Sequence, residues 1–149
     1  MKLKVFRVRE NSKLPVRAHP TDAGMDLFFC PENNKPKNVY PGNTELFATG
    51  LKIGVPSGHM LEIKNKSGVA YKQQLVVGAC VVDSGYDGEV FVNLHNIGNT
   101  VKVIEPGQKL AQAVMVVIET PEVEEIGEDN VYGTETDRGD GGFGSTGIF

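Results

Sequence analysis

The chain has 149 residues, of which 40% are hydrophobic and 23% are charged, proportions typical of one folded domain and not of a disordered chain. Nineteen acidic residues against fifteen basic ones leave a net charge of −4, which disfavours a general binder of nucleic acid. No apolar run approaches the ~20 residues of a membrane span. Glycine is in excess, with 18 residues, so the positions of the glycines become informative.

The N-terminus lacks the apolar segment and small-residue cleavage site of a signal peptide. We therefore expect a cytoplasmic protein, or one inside the host cell if a virus encodes it. Cys30 and Cys80 are the two cysteines, and we expect both as free thiols. The three histidines are scattered without metal-ligand spacing, which disfavours a zinc site.

Alternation of apolar and polar residues predicts strands, in chain order, over residues 59–64, 90–95, 101–104 and 110–118. Residues 75–82, LVVGACVV, are apolar throughout and predict one strand buried on both faces. The best helix candidate is short, around residues 69–73. Turn residues such as Pro41-Gly42 and Pro106-Gly107 separate the runs. Many short strands with frequent turns predict an all-β fold, a barrel or sandwich.

Two segments in the first half carry candidate site residues. Asp26, in the segment AGMDL, precedes an apolar strand. Lys66, Ser67 and Gly68 combine a cation, a hydroxyl and an unshielded backbone just before the short helix, which favours an anion site. A Ser-Gly pair that merely turns the chain is the alternative.

A third segment lies at residues 81–90, where an apolar strand ends in Asp83 and turns past Tyr86. One interpretation is an ordinary hairpin whose aspartate caps its own turn. The other is a general base held rigidly at the end of a strand.

The character of the chain changes near Glu128, and six of the 18 glycines fall in the last 17 residues. We therefore predict a barrel domain over residues 1–127 and a flexible arm over 128–149. Arg138 offers planar donors for phosphate, glycine N–H groups can bind an anion, and Phe143 can stack on a base. The arm is thus either a frayed tail or a lid over a nucleotide.

Taken together and in this order, the segments resemble the five motifs of the trimeric deoxyuridine triphosphatases (dUTPases). The motif-like segments are residues 23–27, 66–70, 81–88, 106–112 and 138–147. The resemblance implies a jelly-roll-like β-barrel, a homotrimer with sites at subunit interfaces, and Mg²⁺-dependent hydrolysis of dUTP to dUMP and pyrophosphate. That reaction limits uracil incorporation into DNA and supplies dUMP for dTMP synthesis.

The resemblance also implies residue roles. Asp83 would activate the water that attacks the α-phosphorus, Asp26 would contact the metal ion through water, and Tyr86 would pack against the deoxyribose. Uracil would be bound by backbone groups of a strand, phosphates by polar groups of two further segments, and the arm would close over the nucleotide. The residues implied for uracil binding are Gly78, Cys80 and Val82. Those implied for phosphate binding are Lys66, Ser67, Gly68 and Gln112, and those implied in the arm are Arg138, Phe143, Gly144, Ser145 and Thr146.

Several positions depart from the family pattern. Lys66 stands where arginine is usual, Gln108-Lys109 stands where Asp-Arg is frequent, and Cys80 occupies a position that is often glycine. A dCTP deaminase of the same fold is one alternative, but Asp83, Tyr86 and Gly68 favour the pyrophosphatase. A nucleotide-sensing or partner-binding module without turnover is the other.

Overall fold

The computed structural model describes residues 2–128 and 131–147. The chain divides into two compact units, Met1–Glu119 and Thr120–Phe149, and each is described by itself. Within the described residues, no helix has the length and apolar character needed to cross a membrane.

The first unit consists of short strands and one short helix, as the sequence predicts. In chain order these elements are β1 Lys4–Arg7, β2 Met25–Phe28, β3 Lys37–Val39, β4 Thr44–Ala48, β5 Leu51–Gly54, β6 His59–Lys64, α1 Ser67–Gln73, β7 Leu75–Val77, β8 Val81–Val82, β9 Phe91–Asn96, β10 Lys102–Ile104 and β11 Lys109–Val117.

All strand pairings are antiparallel within the described residues. The largest sheet has the order β2-β11-β6-β8, and a three-stranded sheet has the order β4-β9-β7. Two-stranded sheets pair β1 with β5 and β3 with β10. Strands far apart in sequence are therefore neighbours in space, and the all-β class expected from the sequence is confirmed.

The core lies between these sheets and follows the predicted alternation. Val92 and Leu94 of β9 are buried, whereas Phe91 on the opposite face is exposed. Phe29 and Phe47 meet edge to face with ring centroids 5.1 Å apart, a favoured aromatic geometry. Each fully buried large apolar side chain contributes about 1.5–3 kcal/mol.

The expected single strand over residues 75–82 is wrong. β7 ends at Val77 and β8 spans only Val81–Val82, and the Val81 side chain is 54% exposed. Residues 78–80 carry no strand assignment and link β7 to β8; together with Val77 we call them the 77–80 turn. The Gly78 N–H still donates to the backbone oxygen of Asn93 in β9, but the Ala79 N–H donates to the Asn93 side chain, where the backbone pairing ends. The apolar composition of residues 75–82 gives no indication of these hydrogen bonds to Asn93.

Candidate active site

Asp26 lies at the centre of a charged cluster that joins three elements. It is in β2, only 5% exposed, and its carboxylate oxygens accept hydrogen bonds from two ammonium groups. Lys66 Nζ lies 2.7 Å from Oδ1, and Lys109 Nζ lies 2.7 Å from Oδ2. We call these three residues the Asp26 cluster. It ties β2 to the residue before α1 and to the first residue of β11.

The cluster carries a net charge of +1, because two ammonium groups surround one carboxylate. Burial alone raises the pKa of the Asp26 carboxyl, but hydrogen bonds and charge from Lys109 and Lys66 outweigh burial and hold the pKa below its ordinary value. Asp26 is therefore ionised at neutral pH. The surplus positive charge suits a phosphate group.

The Asp26 cluster does not resemble a site for a metal ion held by the protein alone. Both carboxylate oxygens are already paired, and a net positive site repels a dication. Among the residues that the structure describes, no group of three or more His, Cys, Asp or Glu side chains could hold a metal. A metal ion would have to reach this place together with an anionic ligand.

Gln112 lies beside the Asp26 cluster on β11, directly opposite Asp26 in the register. Its Nε2 donates to the carbonyl oxygen of Asn65 at 2.9 Å. A Cβ on Gly24 would overlap the Gln112 side chain, so the glycine at residue 24 makes room for it. The sequence-predicted residues 26, 66 and 112 thus come together.

Ser67 and Gly68 begin α1 next to the same cluster. Both are exposed, and the side chain of Lys66 does not cap the helix. A Cβ on Gly68 would meet no atom within 4 Å. Packing inside the described chain therefore gives no reason for glycine at residue 68, and its backbone is open to an external group.

Asp83 begins an exposed loop, residues 83–89, which we call the Asp83 loop. The loop is held at its ends, because Ser84 Oγ donates to Val55 O at 3.1 Å and Tyr86 Oη donates to Glu89 O at 3.0 Å. The Asp83 carboxylate has no hydrogen bond or ion pair within residues 2–128 and 131–147. It is therefore free to accept a proton from a bound group.

A buried ion pair fixes the far end of this loop. Glu89 accepts hydrogen bonds from Arg9 and from the N–H of Gly50, the latter at 2.7 Å. Arg9 Nε also donates to Cys30 O at 3.0 Å. The side chains of Arg9 and Glu89 are each 15% exposed, so removal of either partner would leave the other charge largely buried and unpaired. Reasoning from the sequence missed this support.

Asp83 and Tyr86 line a cleft of about 250 Å³ together with Ala79, Val82 and Phe91. Of the residues expected to bind uracil, Val82 lines this cleft, whereas Gly78 and Cys80 lie in the turn that leads to it. Tyr86 is 49% exposed, so its ring presents a free face. The lining thus combines the carboxylates of Asp83 and Glu89 with two aromatic rings and apolar walls.

Asp26 and Asp83 lie far apart in one chain. Three strand spacings separate β2 from β8, and the register places Asp26 level with Lys64 but Val82 level with Leu61. Spacings of ~4.8 Å between strands and ~3.3 Å per residue put the two backbones roughly 20 Å apart. The two carboxylates of one copy therefore mark two separate places in the fold.

The arm residues form a series of tight turns within the second unit. Arg138 Nε donates to Gly141 O at 3.2 Å, and the N–H of Ser145 donates to Gly142 O at 3.0 Å. Phe143 has a φ of 49° and a fully exposed ring. Gly144 and Thr146 are also exposed. The arm thus presents a guanidinium, hydroxyl groups and one aromatic face to the solvent.

A sequence model of the dUTPase family matches residues 10–147 of this chain. The chain belongs to the dUTPase family. A deoxyuridine 5'-triphosphate nucleotidohydrolase of Clostridium novyi (strain NT) is 39% identical over 99% of this chain and 100% of its own length. A protein of the same name from Oryza sativa subsp. japonica is 38% identical over 98% of this chain and 81% of its own.

Solved dUTPase structures show the same fold. The dUTPase of Staphylococcus bacteriophage 80alpha with dUpNHpp has a TM-score of 0.87 at 26% identity, covering 99% of each chain. A variant dUTPase of phage phi11 of S. aureus, described as coordinating a structural Mg(II) ion, has a TM-score of 0.77 at 27% identity over 86% of this chain and 98% of its own. The expected jelly-roll β fold is therefore confirmed.

Proposed function

We propose that the protein hydrolyses dUTP to dUMP and pyrophosphate by attack of water on the α-phosphorus. The observation that carries this proposal is the Asp83 carboxylate, exposed, without a partner in the described residues, and held beside a cleft. Membership of the dUTPase family over residues 10–147 supports it, as do relatives named for this activity. The reaction limits uracil incorporation into DNA and supplies dUMP for dTMP synthesis.

In this proposal Asp83 acts as the general base. Its carboxylate takes one proton from the attacking water, the oxygen of that water bonds to the α-phosphorus, and the bond to the bridging oxygen breaks. The β- and γ-phosphates leave together as pyrophosphate. A positioned base contributes about 10²–10⁴-fold to such a step. Tyr86 packs against the deoxyribose with its exposed ring.

The phosphate groups bind at the Asp26 cluster and α1. Lys66 and Lys109 neutralise negative charge, while the backbone of Ser67 and Gly68 and the amide of Gln112 donate hydrogen bonds. Asp26 holds the two ammonium groups toward this region. Stabilisation of charge as it moves to the leaving group accounts for much of the catalysis of phosphoryl transfer.

Mg²⁺ accompanies the triphosphate in this proposal and is not resident in the protein. When bound, the ion would neutralise phosphate charge. Asp26 is the proposed outer contact of the ion through water, because its carboxylate oxygens retain lone pairs beyond the two lysine bonds.

The active protein is proposed to be a homotrimer in which one copy supplies the Asp83 loop and another the Asp26 cluster. The roughly 20 Å between the two aspartates in one chain supports this arrangement, because a site built from one copy is incomplete. Exposed apolar side chains near the Asp83 cleft, including Leu46 at 57% and Phe91 at 44%, are suited to burial against another copy.

The arm is proposed to close over the bound nucleotide. Arg138 would pair with the γ-phosphate, Phe143 would cover the uracil, and Gly144, Ser145 and Thr146 would enclose the phosphates. Exclusion of bulk water strengthens every charged contact in such a site. The exposed donors and the free Phe143 ring support this role.

The experiment is a substrate panel with Mg²⁺ and, separately, dUTP, dTTP, dCTP and UTP. Release of pyrophosphate with dUTP alone is expected, and truncation before Arg138 should strongly reduce the rate. A deoxyuridine product formed from dCTP would support the deaminase alternative. Binding of dUTP without turnover would support the sensing alternative, and either result contradicts the proposal.

A further inference from the structure

The 77–80 turn is held by two asparagine side chains and one backbone oxygen that the proposed reaction does not use. The N–H of Val77 donates to Asn65 Oδ1 at 2.7 Å, and the N–H of Gly78 donates to the backbone oxygen of Asn93 at 3.0 Å. The N–H of Ala79 donates to Asn93 Oδ1 at 3.1 Å. Three consecutive amide groups thus have protein acceptors, and none of them is available to a nucleobase.

Asn93 is the residue that makes two of these three bonds. It lies in β9, on the face opposite the buried Val92 and Leu94. Its Nδ2 lies 3.4 Å from the Glu45 carbonyl oxygen, to which it donates. Because Nδ2 has its own acceptor, the amide orientation is determined and Oδ1 faces Ala79.

Close packing between this face of β9 and Gly78 makes the position rigid. A Cβ on Gly78 would overlap both Asn93 Oδ1 and His95 Nε2. His95 lies two residues further along the same face, and its Nδ1 forms a hydrogen bond with Thr44 Oγ1. The glycine at residue 78 is therefore required by internal packing, and Asn93 fixes where the turn lies.

The backbone N–H and carbonyl of Cys80 come directly after the bonded amide of Ala79. Its carbonyl oxygen accepts a hydrogen bond from the N–H of Ile63 at 2.7 Å. Its own N–H has no acceptor within the described ranges 2–128 and 131–147. The first amide donor left open in the turn is thus that of Cys80, one residue beyond the pair of bonds to Asn93.

We propose that Asn93 is a positioning residue that determines base specificity, by holding the 77–80 turn so that the Cys80 N–H, unpaired within the described residues, faces the edge of uracil. This inference rests on the proposed function. Uracil presents an oxygen acceptor beside the N3–H donor, whereas cytosine presents an amino donor beside an N3 acceptor. An N–H donor fixed opposite the uracil oxygen therefore accepts uracil and opposes the cytosine amino group, while a loosened turn discriminates less.

The test compares Kd for dUMP and for dCMP, by calorimetry, in the full-length protein and three variants. Asn93→Ala should weaken dUMP binding and lower the dUMP-over-dCMP preference by about 10-fold. This factor corresponds to the loss of about one hydrogen bond, the one between the Ala79 N–H and the side chain. KM for dUTP should rise by a similar factor with kcat little changed. Asn38→Ala, an exposed asparagine on β3, is the matched control and should leave both constants unchanged.

Asn93→Asp separates positioning from stability. It keeps an oxygen acceptor for the Ala79 N–H but sets a second oxygen against the Glu45 carbonyl, so the melting temperature should fall while the base preference stays within about threefold of wild type. Preference that falls in step with melting temperature in both variants, or that is unchanged in Asn93→Ala, overturns the inference. A wild-type protein that does not hydrolyse dUTP instead contradicts the proposed function.

Discussion

The regions around Asp26 and Asp83 place an aspartate in opposite environments. Asp26 is buried, with both oxygens bonded to lysines, whereas Asp83 is exposed and unpaired within the described residues. A buried charge must be paired to be tolerated, so Asp26 is committed to holding cations. An exposed carboxylate on a braced loop is free to accept a proton. In the proposed function, one aspartate therefore positions cations at one end of the sheet and the other accepts a proton at the opposite end.

Among the variants of these two regions, Asp83→Asn should reduce activity most. We expect the rate of pyrophosphate release to fall by about 10²–10⁴-fold, because the amide cannot take a proton from water. The melting temperature should not change, because the carboxylate stabilises nothing in the described chain. Asp87→Asn in the same loop, whose side chain is 94% exposed and 3.7 Å from Lys52, is the control and should keep nearly full activity. Equal losses in both variants would contradict a specific role for Asp83.

A second contrast lies between two glycines. Gly68→Ala should lower kcat/KM for dUTP by about 10-fold while leaving stability unchanged or raising it by up to ~1 kcal/mol, because alanine favours a helix and the site is open. Gly78→Ala should instead destabilise the fold by about 1–3 kcal/mol, because its methyl group overlaps Asn93 and His95. Urea unfolding and steady-state kinetics on both variants measure this. A destabilised Gly68→Ala protein with normal kinetics would reverse the assignment.

The smallest expected effect is the pH dependence of the Asp26 cluster. The pKa of Asp26 is below its ordinary value of 3.8, so the unfolded state binds the proton more readily. This contribution to stability is complete above about pH 5 and is lost as the pH falls through the folded-state pKa. The difference in melting temperature between wild type and Asp26→Asn should therefore be largest near about pH 7 and shrink toward about pH 3. A difference that grows in acid would show that Asp26 is not held ionised by its lysines.

Much of the fold follows from local pattern. Alternation along β9 predicts which side chains are buried, and the short helix at α1 and the strands β6 and β10 lie close to where periodicity places them. Residues 75–82 are the exception. Their apolar run predicts one buried strand, but the acceptors that bend the turn belong to Asn65 and Asn93, far along the chain. Periodicity within a segment cannot report such contacts.

The candidate site, like the fold, is only partly predictable from the sequence. The sequence indicates Asp26, Lys66 and Gln112 separately, and the register of β2 with β11 brings them together. The sequence marks Lys109 only as a departure from the family pattern, whereas Lys66 is both such a departure and a candidate anion-binding residue. Both lysines, each in place of an arginine, bind the Asp26 carboxylate. Because they belong to two separate motifs, the sequence does not show that they share this partner.

The proposed active site combines the Asp83 loop of one copy with the Asp26 cluster and α1 of another, and mixing two inactive variants shows whether two copies share a site. Asp83→Asn and Gly68→Val damage opposite halves, and the open side of Gly68 accommodates the larger residue. The two proteins are unfolded together, refolded at equal amounts, and assayed for pyrophosphate release from dUTP. Random assembly should restore about a quarter of wild-type activity, because one site in four then contains two intact halves. A mixture no more active than its components would contradict a shared site.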